Sequence, residues 1–294
     1  MTRDGPALFG FAQVEVPWQL GPDDGRYVLR PDGDPGAQVT HVIVLATLGA
    51  PQRHRLGARR PRDAGPAPDP APVTTGRATI VRSAEPLADR AAAESWLRGA
   101  GEDDLDAGLL TLNRMLSTFR RVVADPYAVS VGRHQLIASR VGYGSGEQVA
   151  DGRWEQAREL PPPNRSRRRV QALGPQARLA ATLGAKQRML VCEELVLRAR
   201  IDLDEDSPRE ASLQLLVTLD AAVAELGREP SGLGLSERVD ELRERRPQVA
   251  AAAQSALGAM PSPEQIETVR STLQRLEAAL RARAVALSRD PAPR

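Results

Sequence analysis

The sequence predicts an α+β protein: an N-terminal antiparallel sheet with helices on one face, followed by an all-α helical-hairpin bundle. Three observations carry this. Four strand-like segments precede two helical ones, an order that suits a sheet with its helices segregated to one side. All nine aromatic residues, from Phe9 to Trp154, lie at or before position 154. A rear part without aromatics is built from Leu, Val and Ala packed between helices. Finally, 294 residues give room for about two domains. The pattern places an α+β domain at 1–126 and a helical domain at 127–294, with a basic linker at 161–175.

The elements follow in order. Phe9 to Trp18 alternates, with Ala12, Val14, Val16 and Trp18 on one face and Gln13 and Glu15 on the other. Gly21-Pro22-Asp23-Asp24-Gly25 is turn chemistry, and Arg26 to Arg30 returns as a hairpin partner. Val39 to Leu48 is nearly continuous apolar, as a strand covered on both faces should be. The Pro/Arg-rich stretch 51–76 reads as a mobile loop, and Arg77 to Arg82 as a fourth strand. Glu85-Pro86 opens a helix carrying Leu87, Ala91, Trp96 and Leu97. A second helix begins in the acidic turn Glu102-Asp103-Asp104, which complements the helix dipole. Its stripe is Leu105, Leu109, Leu112, Leu116, Phe119 and Val123.

Beyond that point residues 136–144 fit strand or helix, and 148–157 has the form of a helix–turn–helix joint starting its second helix at Trp154 and Ala157. Arg188 to Leu203 and Pro208 to Leu226 form another helical pair, with Ser207 as N-cap and Pro208 at N1. Both joints resemble tetratricopeptide-type helical hairpins, which place a small residue such as Ala157 or Ala211 at the helix crossing. Leu235, Val239 and Leu242 open a further helix that Pro247 kinks or restarts. The last helix starts with Ser262 as N-cap, Pro263 at N1 and Gln265 at N3, a capping box. Its apolar positions Ile266, Val269, Leu273, Leu276, Leu280 and Leu287 keep heptad spacing, broken at Arg283. Glu277 and Arg281 form an ion pair one turn apart. This helix suits a bundle, with a dimer seam as the alternative.

Composition bounds the function. Forty basic and 38 acidic residues leave a net charge of +2, which alone argues for no polyanionic partner. Lys186 is the only lysine, a bias that a GC-rich genome accounts for. No window reaches the ~18 apolar residues of a membrane span. Arg3-Asp4-Gly5-Pro6 does not open a signal peptide, so the expected compartment is the cytoplasm, with no membrane partner. The lone Cys192 makes no internal disulfide and reads as a buried apolar side chain.

The most site-like string is Arg140-Val-Gly-Tyr-Gly-Ser-Gly146. Gly142, Gly144 and Gly146 could let backbone N–H groups approach a phosphate beside Tyr143, with Arg133, Arg140 and Arg153 to neutralise it. The other reading is a tight turn joining the two parts. The string lacks both the P-loop ending and dinucleotide-fold spacing. Arg165, Arg167, Arg168 and Arg169 follow three prolines and form a basic run, either a solvated linker or a phosphate-backbone contact. Arginines 53, 55, 59, 60 and 62 form a second run. Asp202, Asp204 and Asp206 alternate like a calcium loop but lack its glycine and its closing glutamate. His41, His54 and His134 have no partner at ligand or triad spacing. Glu193 and Glu194 diverge by ~100° on their helix and make no carboxylate pair. No catalytic residue, metal site or cofactor is therefore expected.

The strings Phe9-Gly-Phe-Ala-Gln-Val-Glu-Val-Pro-Trp18, Gly25 to Arg30, and Arg140 to Trp154 resemble an uncharacterised family of high-GC actinobacterial proteins. That resemblance implies a bacterial cytoplasmic setting and transfers no activity or site. The leading expectation is a non-enzymatic interaction or scaffold protein, binding another protein or itself through its helical part. The alternative is an arginine-rich nucleic-acid- or nucleotide-binding protein using 133–169. A third is an enzyme acting on an anionic substrate at the glycine string.

Overall fold

The computed structural model describes residues 6–31, 35–49, 74–161, 178–230 and 233–289. The chain forms two compact units, Met1–Ser166 and Arg167–Arg294. The expected α+β class holds. The expected loop 51–76 lies outside the described residues up to 73, and so does the linker 161–175 beyond its first residue.

The first unit is a six-stranded antiparallel sheet of β1 (Leu8–Val16), β2 (Gly25–Leu29), β3 (His41–Leu48), β4 (Thr75–Leu87), β5 (Ala138–Ser145) and β6 (Gln156–Glu159). Its spatial order is β2-β3-β4-β1-β5-β6. Helices α1 (Arg90–Gly99) and α2 (Glu102–Val123) cover one face. There Ala12, Val14 and Val16 of β1 meet Leu105, Leu109, Leu112 and Leu116 of α2, as the period-two and period-3.6 patterns require. The first helix starts later than Glu85. Pro86 and Leu87 still pair with Phe9 and Leu8, so β4 runs on. Asp89 then caps α1 by accepting the Ala92 N–H at 2.8 Å.

Of the two readings open for 136–144, the strand is the one found, over Ala138–Ser145. The joint expected at 148–157 needs correction: it is not a helical hairpin. Gly146–Asp151 is a short 3₁₀ turn that reverses the chain into β6. Ala157 is thus a strand residue opposite Gly142, not the small residue of a helix crossing. The first unit therefore ends near 166 rather than at 126, because β5 and β6 complete its sheet.

The second unit contains α3 (Val191–Asp204), α4 (Pro208–Leu226), α5 (Ser236–Gly258) and α6 (Pro263–Arg289). Its core is Leu, Val and Ala with Cys192, as an aromatic-free composition dictates. α5 runs through Pro247 without restarting. The capping box of α6 is closed: Gln265 N–H donates to Ser262 Oγ at 3.3 Å, and Ser262 N–H to Gln265 Oε1 at 2.9 Å. The Glu277–Arg281 pair is a long one at 3.9 Å, and Glu277 is held more closely by Arg200 at 2.8 Å. No helix among the described residues is long and apolar enough to cross a membrane.

The start of α3 is capped from α4. Glu225 accepts the N–H groups of Val191 at 3.1 Å and Cys192 at 2.9 Å, two donors with no intrahelical partner. Burial alone would raise the Glu225 carboxyl, but these two hydrogen bonds outweigh it and hold the carboxyl below its ordinary value. Burial, and then the hydrogen bond to Glu225, push the Cys192 thiol up to about 12. At neutral pH Cys192 is therefore a protonated, enclosed thiol. We expect it to react with an aromatic disulfide reagent at least about a thousandfold more slowly than the unfolded chain does, the rate being set by opening of the bundle. Rapid labelling without denaturant would refute this. The raised thiol pKa also fixes a sign. Stability should fall as pH rises above the ordinary thiol value toward 12, and Cys192→Ala should flatten that slope.

Candidate functional site

The glycine string is β5, so alternation divides it between the two faces of the sheet. Tyr143 pairs with Gly10 on the face covered by helices, where it is fully buried. Its hydroxyl has no hydrogen-bond partner among the described residues. Arg140, Gly142 and Gly144 lie on the opposite face. The expected tight turn begins only at Gly146. Gly142 stands in the ladder between Phe11 of β1 and Ala157 of β6, and Gly144 pairs with Phe9. Backbone held in a ladder is not free to cradle a phosphate.

These glycines make room for an apolar layer. A Cβ on Gly142 would lie 2.7 Å from Phe11 Cζ, and one on Gly144 2.8 Å from Val149 Cγ1. Phe11 and Trp154 pack at 5.9 Å between ring centroids, with Val42, Val81 and Val149 around them. Beside this layer runs a polar row drawn from β1, β4, β5 and β6. Gln13, only 1% exposed, donates to Thr79 Oγ1 at 2.7 Å. Its oxygen accepts from Arg140 at 2.5 Å. Arg77 donates to Glu15 at 2.8 Å, Arg140 lies 3.5 Å from the same carboxylate, and Glu159 is 3.2 Å from Arg140 on the far side. The Arg140 guanidinium also sits 5.7 Å from the Trp154 ring centroid. Two cations and two anions cancel, and every member is hydrogen-bonded, so the row stiffens the sheet rather than offering a charge to a ligand.

The other candidates do not assemble with it. Arg133, in a 3₁₀ turn, is 3.2 Å from Glu102 and 3.4 Å from Asp106 in the first turns of α2. Arg153 is exposed, with no ion pair among the described residues. Arg165, Arg167, Arg168 and Arg169, and the run at 53–62, lie outside the described residues. No group of three His, Cys, Asp or Glu side chains among the described residues could hold a metal ion.

Comparison with known protein families, with curated proteins and with solved structures finds no match to this chain. The residues must therefore speak for themselves. Sequence reasoning missed a depression of about 450 Å³ between α1 and β6, lined by Glu94, Leu97, Arg98, Gln156 and Arg158. The alternation of Gln156 and Arg158 is strand spacing and carries its signal, but four residues are too few to set it against the helical reading of 154–157.

Proposed function

We propose that the protein is a non-enzymatic cytoplasmic interaction protein whose helical unit offers the outer face of α4 to another protein or to a second copy. One observation supports this above the others. The middle of α4, Ala211 to Leu219, carries no charge. One face of the helix buries Ala211, Leu215, Leu219 and Ala222. The opposite face exposes Leu213 at 37% and Val217 at 59%, with Ala224 further along the same stripe. Between Glu210 and Asp220, which bound this outward stripe, the helix is apolar on both faces, and an apolar patch left outward with charges at its rim suits a partner. The polar row on the sheet, already neutralised, lends no support to catalysis. Arg133 and Arg140, engaged with carboxylates, lend none to nucleic-acid binding.

Sedimentation of the full chain over a concentration series, together with affinity capture, tests the reading. We expect self-association or a specific complex, which Val217→Glu abolishes while changing fold stability by no more than about 0.5 kcal/mol. A chain that stays monomeric and captures nothing specific, or a complex indifferent to Val217→Glu, would sink it.

A further inference from the structure

We propose that the free edge of β6, with the depression beside it, is a docking site for an extended acidic peptide segment that adds a seventh strand to the sheet. This surface belongs to the first unit and is independent of the α4 face.

The backbone supplies the first half of the case. Among the described residues β6 ends the strand order, so one of its sides has no neighbour in the sheet. Leu160 N–H donates to Ser139 across the ladder at 2.9 Å. Alternation then turns Gln156 and Arg158 inward and leaves the N–H and C=O groups of Ala157 and Glu159 pointing outward. An edge presenting unpaired donors and acceptors is a template for another strand.

Side chains supply the second half and fix the chemistry of the occupant. Gln156 and Arg158 project toward α1 and line the depression, with Leu97 as an apolar wall. A strand laid against β6 would send alternate side chains into the same space. The charges there favour an acidic one. Glu94 is already paired with Arg90 at 3.4 Å. Arg158 gives one nitrogen to the Ala100 carbonyl and keeps the rest of its fork. Arg98, exposed in the last turn of α1, has no ion pair among the described residues. Two guanidinium groups thus flank a site whose one carboxylate is occupied, and opposite charges across neighbouring strands attract. At the other edge of the sheet, Arg26 of β2 is committed to Glu147 at 2.5 Å, and Arg30 just after β2 to the Ala37 carbonyl at 3.0 Å.

The test is selection of a random library of short linear peptides on the full chain, followed by fluorescence anisotropy with the enriched peptide. Enriched peptides should alternate Asp or Glu with β-branched or aromatic residues. Arg98→Glu should weaken binding roughly fivefold to tenfold. Glu159→Pro removes an outward N–H without touching the ladder to β5, and should weaken it about tenfold. Glu159→Ala loses the same carboxylate but keeps the N–H, and should bind at least as well as the unchanged chain. Unchanged tryptophan fluorescence in each variant shows that the sheet remains folded. Val217→Glu should have no effect here, which separates failure of this site from failure of the helical surface. Selection without acidic enrichment, or binding that survives both Arg98→Glu and Glu159→Pro, overturns the proposal.

Discussion

Replacing Arg283 with alanine is expected to destabilise the helical unit by about 3–5 kcal/mol and to leave the first unit's unfolding unchanged. Arg283 is only 2% exposed. Its Nε donates to Glu229 at 2.9 Å, one Nη lies 3.4 Å from Glu193, and the other donates to the Arg188 carbonyl at 3.2 Å. Glu193 is also held by Arg178. Truncating the arginine strands Glu229 in a poorly solvated place and leaves Glu193 with half its compensation, and an uncompensated buried charge is what makes such a deletion costly. Arg283→Lys should recover little, because a point charge cannot serve three acceptors spread around a planar fork. Adding Glu229→Gln to Arg283→Ala should restore part of the loss, since the stranded charge is then gone. The measurement is unusually clean. Every tryptophan and tyrosine lies at or before Trp154, so intrinsic fluorescence reports the first unit alone, while Cys192 thiol exposure reports the second. A fluorescence transition that moves with Arg283→Ala, or a thiol that stays equally protected, contradicts the prediction.

Arg283 also shows where the sequence stops being readable. It breaks the heptad spacing of α6, and within the helix nothing distinguishes a surface interruption from a buried ion. Its carboxylate partners lie 54 and 90 positions away, outside any local window. Arg140 is the same case, since its partners Gln13 and Glu15 are more than a hundred positions distant. Local signals fared better. The capping box at Ser262 and Gln265, the Pro208 start of α4 and the α2 stripe from Leu105 to Leu116 are all set by residues within two turns and stand where the pattern puts them, whereas Val123 at the end of that stripe is exposed. The four leading strands are legible because apolar and polar residues alternate in β1, β-branched residues run on in β3, and turn residues separate β1 from β2. β5 was harder to place, and β6 was misread, because Gly142 and Gly144 carry no strand propensity of their own and Gln156 to Glu159 is too short and polar to announce a strand. What fixes β5 is the aromatic layer laid over its glycines, a tertiary effect.

That layer makes the second large prediction: Gly142→Ala should cost the first unit about 2–3 kcal/mol. The reason is space. A Cβ there would lie 2.6 Å from the Gln156 carbonyl oxygen, 2.7 Å from Phe11 Cζ and 2.8 Å from Ala157 Cβ. Phe11 can yield, being the end of a side chain, but the carbonyl belongs to the backbone of β6, and relief requires that strand to move off β5. Gly142→Ala combined with Phe11→Leu should therefore recover little of the loss. Gly146 supplies the contrast. A Cβ there meets nothing within 4 Å, but φ is +61°, so Gly146→Ala should cost only about 1 kcal/mol of left-handed backbone strain. The pair separates two reasons for a glycine-rich string. If the glycines served to bring backbone N–H groups to an anion, Gly142→Ala would spare stability and change ligand binding. If they serve to seat an aromatic layer, Gly142→Ala moves the tryptophan fluorescence transition to lower denaturant, Gly146→Ala moves it less, and Cys192 in the helical unit stays protected in both. An equal or reversed ordering of the two glycine variants would overturn the packing account of β5.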